Sequence, residues 1–168
     1  KKAVNAGFVK GYTDGSFKPD KAVTRAEFVT MVNNALQLRD SNQVKLLFTD
    51  VDKTAWYHDE VAKASYVRYV AGTSETTFSP ATYITRQEAA VMVSRFLPKA
   101  GMTGKDALAS FPDQVKIASW AEEGLAIAIN KGYMKGHSSG LIAPMGTLTR
   151  AEAAVIITNI LNGETIVR

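Results

Sequence analysis

Residue types that commonly carry chemistry are scarce in this sequence. Among its 168 residues there is no cysteine, and there are only two histidines. The absence of cysteine excludes disulfide bonds and thiolate metal sites. His58 and His137 belong to no motif, so no nucleophile–base pair and no metal-ligand spacing is evident. The sequence therefore predicts no catalytic residues, no metal site and no cofactor.

Long apolar runs and strong charge are missing as well. No apolar run is long enough to span a membrane, and no signal peptide is present. The formal net charge is only +4, which suits an anionic partner without identifying one. Nucleic acid is disfavoured as that partner, because no continuous basic stripe with interleaved aromatic residues occurs. Apolar residues make up 46% of the chain, which is typical of a globular protein.

The sequence does contain a threefold repeat. A Thr-Arg-Ala-Glu motif at 24–27 recurs as Thr-Arg-Gln-Glu at 85–88 and as Thr-Arg-Ala-Glu at 149–152. The motif arginines are 61 and 64 residues apart (86 − 25 and 150 − 86). Glycines and prolines before the motif keep the same spacings: Gly11, Gly72, Gly136, Pro19, Pro80 and Pro144. The repeat predicts units at 1–40, 41–104 and 105–168, and the first unit is expected to begin before Lys1.

Each motif predicts the start of a helix. Thr and Glu three residues apart form a capping box, in which the two residues satisfy each other's backbone amides. One apolar helical face follows each motif. Its residues are Phe28, Met31, Val32, Ala35 and Leu36, then Ala89, Met92, Val93, Phe96 and Leu97, then Ala153, Ile156, Ile157, Ile160 and Leu161. Each unit is therefore predicted as helix, short loop, helix. The units must share one core because a single pair of helices buries too little apolar area.

The arginine in each motif is unexpected at its position. It occupies the first helical residue, where the helix dipole disfavours a cation. Three arginines in register predict that free helix amides and a guanidinium together hold an anion there. The alternative is that each arginine is solvated or pairs with a nearby carboxylate. Because a first-turn cation adds little stability, Arg25→Ala or Arg150→Ala is expected to weaken binding and to leave the fold intact.

These motifs resemble those of S-layer homology domains, the triplicated modules that hold surface proteins on Gram-positive cell walls. The resemblance covers essentially the whole chain. It rests on Asp50-Val51 followed by Trp56, on the Gly-Tyr-x-Asp-Gly-x-Phe-x-Pro loop at 11–19, and on the Thr-Arg-Ala-Glu motif. The second copy has Gln87 in place of alanine, and the third loop lacks the tyrosine and the aspartate. The resemblance implies an all-α, pseudo-threefold spindle of three helix-loop-helix repeats with grooves between them. It also implies a secreted location at the cell wall, as part of a larger surface protein.

The resemblance implies a ligand and a set of site residues. The ligand would be an anionic secondary cell-wall polysaccharide, often carrying pyruvate ketals on N-acetylmannosamine. The residues expected to bind the carboxylate are Arg25, Arg86 and Arg150. The residues expected to let sugar approach the backbone are Gly11, Gly72 and Gly136.

The remaining candidates are aromatic or polar. Trp56 and Trp120 can stack on a pyranose ring, or they can lie in the core as most tryptophans do. Tyr12, Asp14 and Ser16 can hydrogen-bond sugar, and only the first copy carries all three. The grooves are therefore expected to be unequal.

Other functions stay open at this point. A protein-interaction or peptidoglycan-binding module is one alternative, and protein interaction would require an exposed apolar patch. An enzyme is another, since two of the motif glutamates can be proposed as a glycosidase pair, but helix capping already accounts for them.

Overall fold

The computed structural model describes residues 11–12, 14–39, 45–96, 105–137 and 139–163. Within these ranges the structure is all-α, with three isolated β-bridges and no β-strand. The five α-helices are α1 (Arg25–Leu36), α2 (His58–Tyr66), α3 (Arg86–Ser94), α4 (Glu122–Asn130) and α5 (Arg150–Gly163). Short 3₁₀ turns occur at Lys105–Ala107, Gln114–Lys116 and Ser119–Ala121. The unit boundaries predicted near 40 and 104 fall outside the described residues.

The three motifs begin α1, α3 and α5, as predicted. At the start of α1 the Thr24 hydroxyl accepts from the Glu27 amide at 3.2 Å. The Glu27 carboxylate accepts in return from the Thr24 amide at 2.9 Å. The same reciprocal pair is present in the second and third motifs. All three capping boxes are thus confirmed, and each Thr cap contributes about 1 kcal/mol.

The residues just before the motifs close a ring of backbone hydrogen bonds. The Val23 amide donates to the Leu148 carbonyl at 2.9 Å, and the Ile84 amide donates to the Val23 carbonyl at 3.0 Å. The Leu148 amide completes the ring by donating to the Ile84 carbonyl at 3.1 Å. All three side chains are fully buried. Because each unit gives one donor and one acceptor, the ring gives the fold its pseudo-threefold symmetry.

The apolar faces of the three capped helices meet in one core. Only a small void of about 10 Å³ separates them. Its walls come from all three units: Val32, Ala35, Leu36, Val93, Phe96, Ile157, Ile160 and Leu161. Leu97, predicted on this face, lies outside the described residues. The shared core predicted from the repeat is confirmed.

The leading helix of a unit packs on the capped helix of the unit before it. Helix α2 packs on α1, and α4 packs on α3. Asn33 of α1 donates to the Glu60 carboxylate of α2 at 2.7 Å, and the buried Tyr69 hydroxyl donates to Asn33 Oδ1 at 2.6 Å. Gly124 of α4 lies so close to α3 that a Cβ there would come within 2.8 Å of the Val91 Cα. The leading helix of the next unit therefore covers the capped helix of the preceding unit.

In the second and third units an aspartate holds the loop just before its proline. The Asp50 carboxylate accepts from the Phe78 and Ser79 amides at 2.8 and 2.7 Å. Asp113 accepts from the two equivalent amides of the third unit at 2.9 and 2.8 Å. The residue before each proline has a positive φ: Lys18 at 50°, Ser79 at 60° and Ala143 at 49°. This conformation is unfavourable for residues with a Cβ, and in the second and third units the hydrogen bonds that the aspartate accepts stabilise it.

Candidate functional site

Residues of the described ranges line two grooves between neighbouring units. The first, here called the Arg25 groove, has a volume of about 440 Å³. Its lining residues are Arg25, Ala71, Gly72, Thr73, Glu88, Val91, Met92, Arg95 and Trp120. The second, the Arg86 groove, has a volume of about 520 Å³ and is lined by Arg86 and by the loop and capped helix of the third unit. Both volumes are typical of small-molecule sites.

Arg25 lies at the floor of its groove and is largely bonded to protein. The residue is only 2% exposed. Its Nε donates to the Phe78 carbonyl at 2.8 Å, its Nη2 to the Ala71 carbonyl at 3.0 Å, and its Nη1 to Glu88 Oε1 at 2.9 Å. Burial lowers the pKa of the guanidinium and the Glu88 charge opposes this change, so Arg25 stays charged at neutral pH. These bonds use three of the five N–H groups of the guanidinium.

Arg86 is held in the same way but less completely. Its Nε donates to the Ile142 carbonyl at 2.8 Å and its Nη2 to the Lys135 carbonyl at 2.5 Å. Its Nη1 lies 3.6 Å from Glu152 Oε1, which is an ion pair beyond hydrogen-bond distance. Burial lowers the pKa of this guanidinium too, and the charge of Glu152 opposes the change. The Nη1 group of Arg86 is therefore less restrained than that of Arg25.

Arg150 contacts the loop of the first unit and so links the third unit to the first. Its Nε donates to the Phe17 carbonyl at 2.9 Å. Its guanidinium carbon lies 4.6 Å from the ring centroid of Tyr12 and 5.1 Å from that of Phe17. The Tyr12 hydroxyl donates to Glu27 and accepts from Lys21 at 2.9 Å, and the latter bond raises the pKa of Lys21. Each motif arginine thus contacts the next unit around the ring.

The helix amides are not free, which corrects one step of the sequence argument. The amide of Arg25 donates to the Thr82 carbonyl at 2.9 Å, and that of Ala26 donates to the Pro80 carbonyl at 3.1 Å. Equivalent bonds occupy the first two amides of α3 and of α5. The loop of the next unit therefore satisfies the donors that an anion would need. All three motif arginines are buried rather than solvated, so we now expect their removal to lower the stability of the fold.

The loops themselves require glycine at Gly72 and Gly136, and they leave little room beside Gly11. A Cβ on Gly136 would lie 2.5 Å from Phe111 Cε1, and one on Gly72 would overlap the Ser74 and Thr77 carbonyls. A Cβ on Gly11 would lie 3.1 Å from the Ser16 carbonyl. Close approach of a sugar to these glycines stays a prediction.

Both tryptophans are on the surface rather than in the core. Trp56 is 63% exposed and Trp120 is 58% exposed. Trp120 stands just before α4 and lines the Arg25 groove. Trp56 packs edge-on against Tyr57, with 5.3 Å between ring centroids. The structure thus brings Trp120 together with Arg25, and it places Trp56 outside both described grooves.

Asp14 and Ser16 bond to each other within the first loop. The Asp14 carboxylate accepts from the Ser16 hydroxyl at 2.6 Å and from its amide at 2.9 Å. Lys18 pairs with the same carboxylate at 2.9 Å. These contacts, led by the one from the Ser16 hydroxyl, hold the pKa of Asp14 well below its usual value. The geometry is that of a closed turn, with Gly15 at a φ of 75°.

Sequence reasoning missed Arg95. This exposed residue follows α3 and lines the Arg25 groove, and its Nη1 donates to the Tyr69 carbonyl at 3.0 Å. The equivalent positions of the other units are Asn34 and Asn159. Alignment of the repeats beyond the motif was the signal that could have found it.

The described part of the chain holds no group of acidic or histidine side chains suited to a metal ion. None of the helices in that part has the length and apolar character needed to cross a bilayer.

The chain is similar to parts of several longer proteins. It is 34% identical over 159 residues to the Surface-layer 125 kDa protein of Lysinibacillus sphaericus, which covers 92% of this chain and 13% of that protein. It is 29% identical over 162 residues to the Cellulosome-anchoring protein of Acetivibrio thermocellus, covering 94% and 36%. It is 32% identical over 155 residues to the Amylopullulanase of Thermoanaerobacterium thermosulfurigenes, covering 91% and 8%. The chain thus spans only a minor part of each of these relatives.

A family model gives the assignment. The model described as the S-layer homology domain matches residues 1–29, 47–90 and 110–154, which together make up more than half of the chain. Each matched segment contains one Thr-Arg-x-Glu motif and one arginine of the ring of inter-unit contacts. The chain therefore belongs to the S-layer homology domain family.

Proposed function

We propose that this chain holds a larger protein on the cell wall by binding an acidic wall polysaccharide in its grooves. Family membership supports attachment at the cell surface. The names of two relatives, a surface-layer protein and a cellulosome-anchoring protein, agree with this role. The ligand that we propose is a secondary cell-wall polysaccharide with pyruvate ketals on N-acetylmannosamine.

The state of Arg86 is the observation that carries the proposal. Its guanidinium lies at the floor of an open groove, and its Nη1 makes no hydrogen bond to the described residues. A guanidinium matches the geometry of a carboxylate, and the attraction is stronger in a groove than in bulk water. A ketal carboxylate entering the groove can therefore bind Nη1 without displacing the two carbonyls that hold the side chain.

The other site residues have distinct roles in this proposal. Arg25 and Arg150 supply charge at the other two unit boundaries, Gly72 and Gly136 line the groove rims, and Trp120 offers a face to a pyranose ring. Trp56 offers a similar exposed face outside both described grooves, and the loop of the first unit begins at Gly11. Tyr12, Asp14 and Ser16 shape that loop, because their polar groups already bond to protein neighbours.

A charge placed in the Arg86 groove tests the proposal. Val155 lines this groove on α5 and is 57% exposed, so a glutamate there adds negative charge without opening the core. Val155→Glu should weaken binding to purified wall sacculi in a sedimentation assay, because it repels the acidic polymer. Val155→Lys should bind at least as well as the wild type. Val115→Glu is the matched control, since Val115 is 86% exposed and lines neither groove.

The same assay separates the polysaccharide from other wall components. Sacculi stripped of the polysaccharide should no longer retain the chain, and added salt should weaken binding to intact sacculi. Unchanged binding to stripped sacculi would instead indicate peptidoglycan or a protein partner. Equal binding of Val155→Glu and Val155→Lys would contradict a role for this groove.

We propose no catalytic step for this chain. The Amylopullulanase name belongs to a protein of which the chain matches only 8%, so it does not transfer an activity.

A further inference from the structure

Arg95 makes the Arg25 groove chemically different from the Arg86 groove. The two cavities have similar volumes, about 440 and 520 Å³, so size does not distinguish their ligands. Both linings contain a motif arginine, a loop glycine and a motif glutamate, but Arg95 lines the first groove where Asn159 lines the second. The Arg25 groove thus has an exposed arginine beside the exposed indole of Trp120, whereas the Arg86 groove has the exposed Lys135 in place of Ala71.

The fold does not require an arginine at this position. Arg95 Nη1 donates to the Tyr69 carbonyl at 3.0 Å. In the next unit Asn159 Nδ2 donates to the Tyr133 carbonyl, which is the equivalent acceptor, at 3.3 Å. An asparagine thus makes the same backbone contact without a charge. The guanidinium of Arg95 adds a cation that this structural contact does not use.

Arg25 alone has little capacity to bind an anion in this groove. Arg25 is 2% exposed, and its Nη1 is already bound by Glu88 at 2.9 Å, whereas the equivalent pair in the Arg86 groove is 3.6 Å apart. An anion entering the Arg25 groove therefore meets a guanidinium that is more fully occupied than Arg86. Arg95 is exposed on the same groove and offers the remaining N–H groups of its fork.

We propose that Arg95 is the affinity-determining residue of the Arg25 groove and binds the acidic group of the sugar directly. The inference rests on the proposed function and names the residue that carries it in one groove. The site is then built from all three units: Arg25 from the first, Arg95 from the second and Trp120 from the third.

An NMR titration of the whole chain tests this role, because each groove has its own amide reporter. The Thr73 amide reports on the Arg25 groove and the His137 amide on the Arg86 groove. The probes are the methyl glycosides of pyruvylated N-acetylmannosamine and of N-acetylmannosamine without the ketal. Arg95→Asn should weaken binding of the acidic sugar about tenfold at Thr73 and leave binding at His137 unchanged. The reciprocal Asn159→Arg should strengthen binding at His137.

The outcomes separate the inference from the function on which it rests. Unchanged affinity at Thr73 in Arg95→Asn, with normal binding by the wild type, would overturn the role of Arg95 and leave the proposed function standing. An equal loss at both reporters, or an equal loss with the neutral sugar, would also overturn it by indicating a structural effect. Failure of the wild type to bind either sugar would overturn the proposed function and this inference together.

Discussion

At the residue scale, two motif glutamates, Glu88 and Glu152, both cap their own helix and contact the motif arginine of the preceding unit. Glu88 Oε2 accepts from the Thr85 amide at 2.8 Å and so caps its own helix, while Oε1 accepts from Arg25 of the preceding unit at 2.9 Å. Glu152 repeats this arrangement with its own cap and with Arg86 at a longer distance. The carboxylate that begins one helix therefore also positions the arginine of another.

Arg25→Ala should destabilise the fold substantially. The change leaves the Phe78 and Ala71 carbonyls and one oxygen of Glu88 without their donor, and removal of one partner from such a pair costs about 3 kcal/mol. Urea unfolding followed by circular dichroism measures this loss. Arg95→Asn is the control, with an expected change within about 0.5 kcal/mol, because it keeps a donor for the Tyr69 carbonyl. Equal unfolding midpoints for the two variants would contradict a structural role for Arg25.

At the scale of the element, the loops of the second and third units are held by an aspartate that precedes the leading helix of the same unit. Asp113 holds the turn before Pro144, just as Asp50 holds the turn before Pro80. These turns in turn supply the carbonyls that satisfy the first amides of the preceding unit's capped helix. A loop, its aspartate and a neighbouring helix start thus form one cooperative set of contacts.

The two hydrogen bonds that the Asp113 carboxylate accepts should make the free energy of unfolding depend on pH in the acid range. Burial alone would raise the pKa of this carboxyl, but the Ile142 and Ala143 amides hold it below its usual value. A pKa lowered by folding stabilises the protein above the unfolded-state value of about 3.9, and the stabilisation is lost as pH falls through the folded value. The free energy of unfolding should therefore fall between about pH 5 and pH 2, and fall less in Asp113→Asn. A slope in Asp113→Asn that matches the wild-type slope would contradict this role of the Asp113 carboxylate.

At the scale of the whole molecule, the three units depend on one another for their fold. The backbone ring of Val23, Ile84 and Leu148 needs all three units, and the core lies among their capped helices. Helix α4 of the third unit also covers α3 of the second. The three repeats consequently share one hydrophobic core.

Removal of the third unit should abolish cooperative folding. A chain of residues 1–104 lacks Leu148, α4 and α5, which exposes the apolar faces of α1 and α3. Thermal unfolding followed by circular dichroism should show a single sharp transition for the full chain and none for this fragment. A sharp transition in the fragment would mean that two units form an independent core.

The sequence by itself determined the elements that depend on neighbours a few residues away. The capping boxes, the apolar faces and the repeat period all use local contacts, and the described structure confirms them. The resemblance carried by the motifs further implied the spindle-like class of fold.

Only the tertiary structure decided what the arginines contact. Arg25 meets Glu88, which is 63 residues away in sequence, and the helix amides expected to be free are bound by carbonyls of the next unit. Arg95 likewise lines one groove with Arg25 and Trp120, which come from the two other units. Local periodicity carries no information about such partners, because the physical cause of these contacts is closure of the three units around one axis.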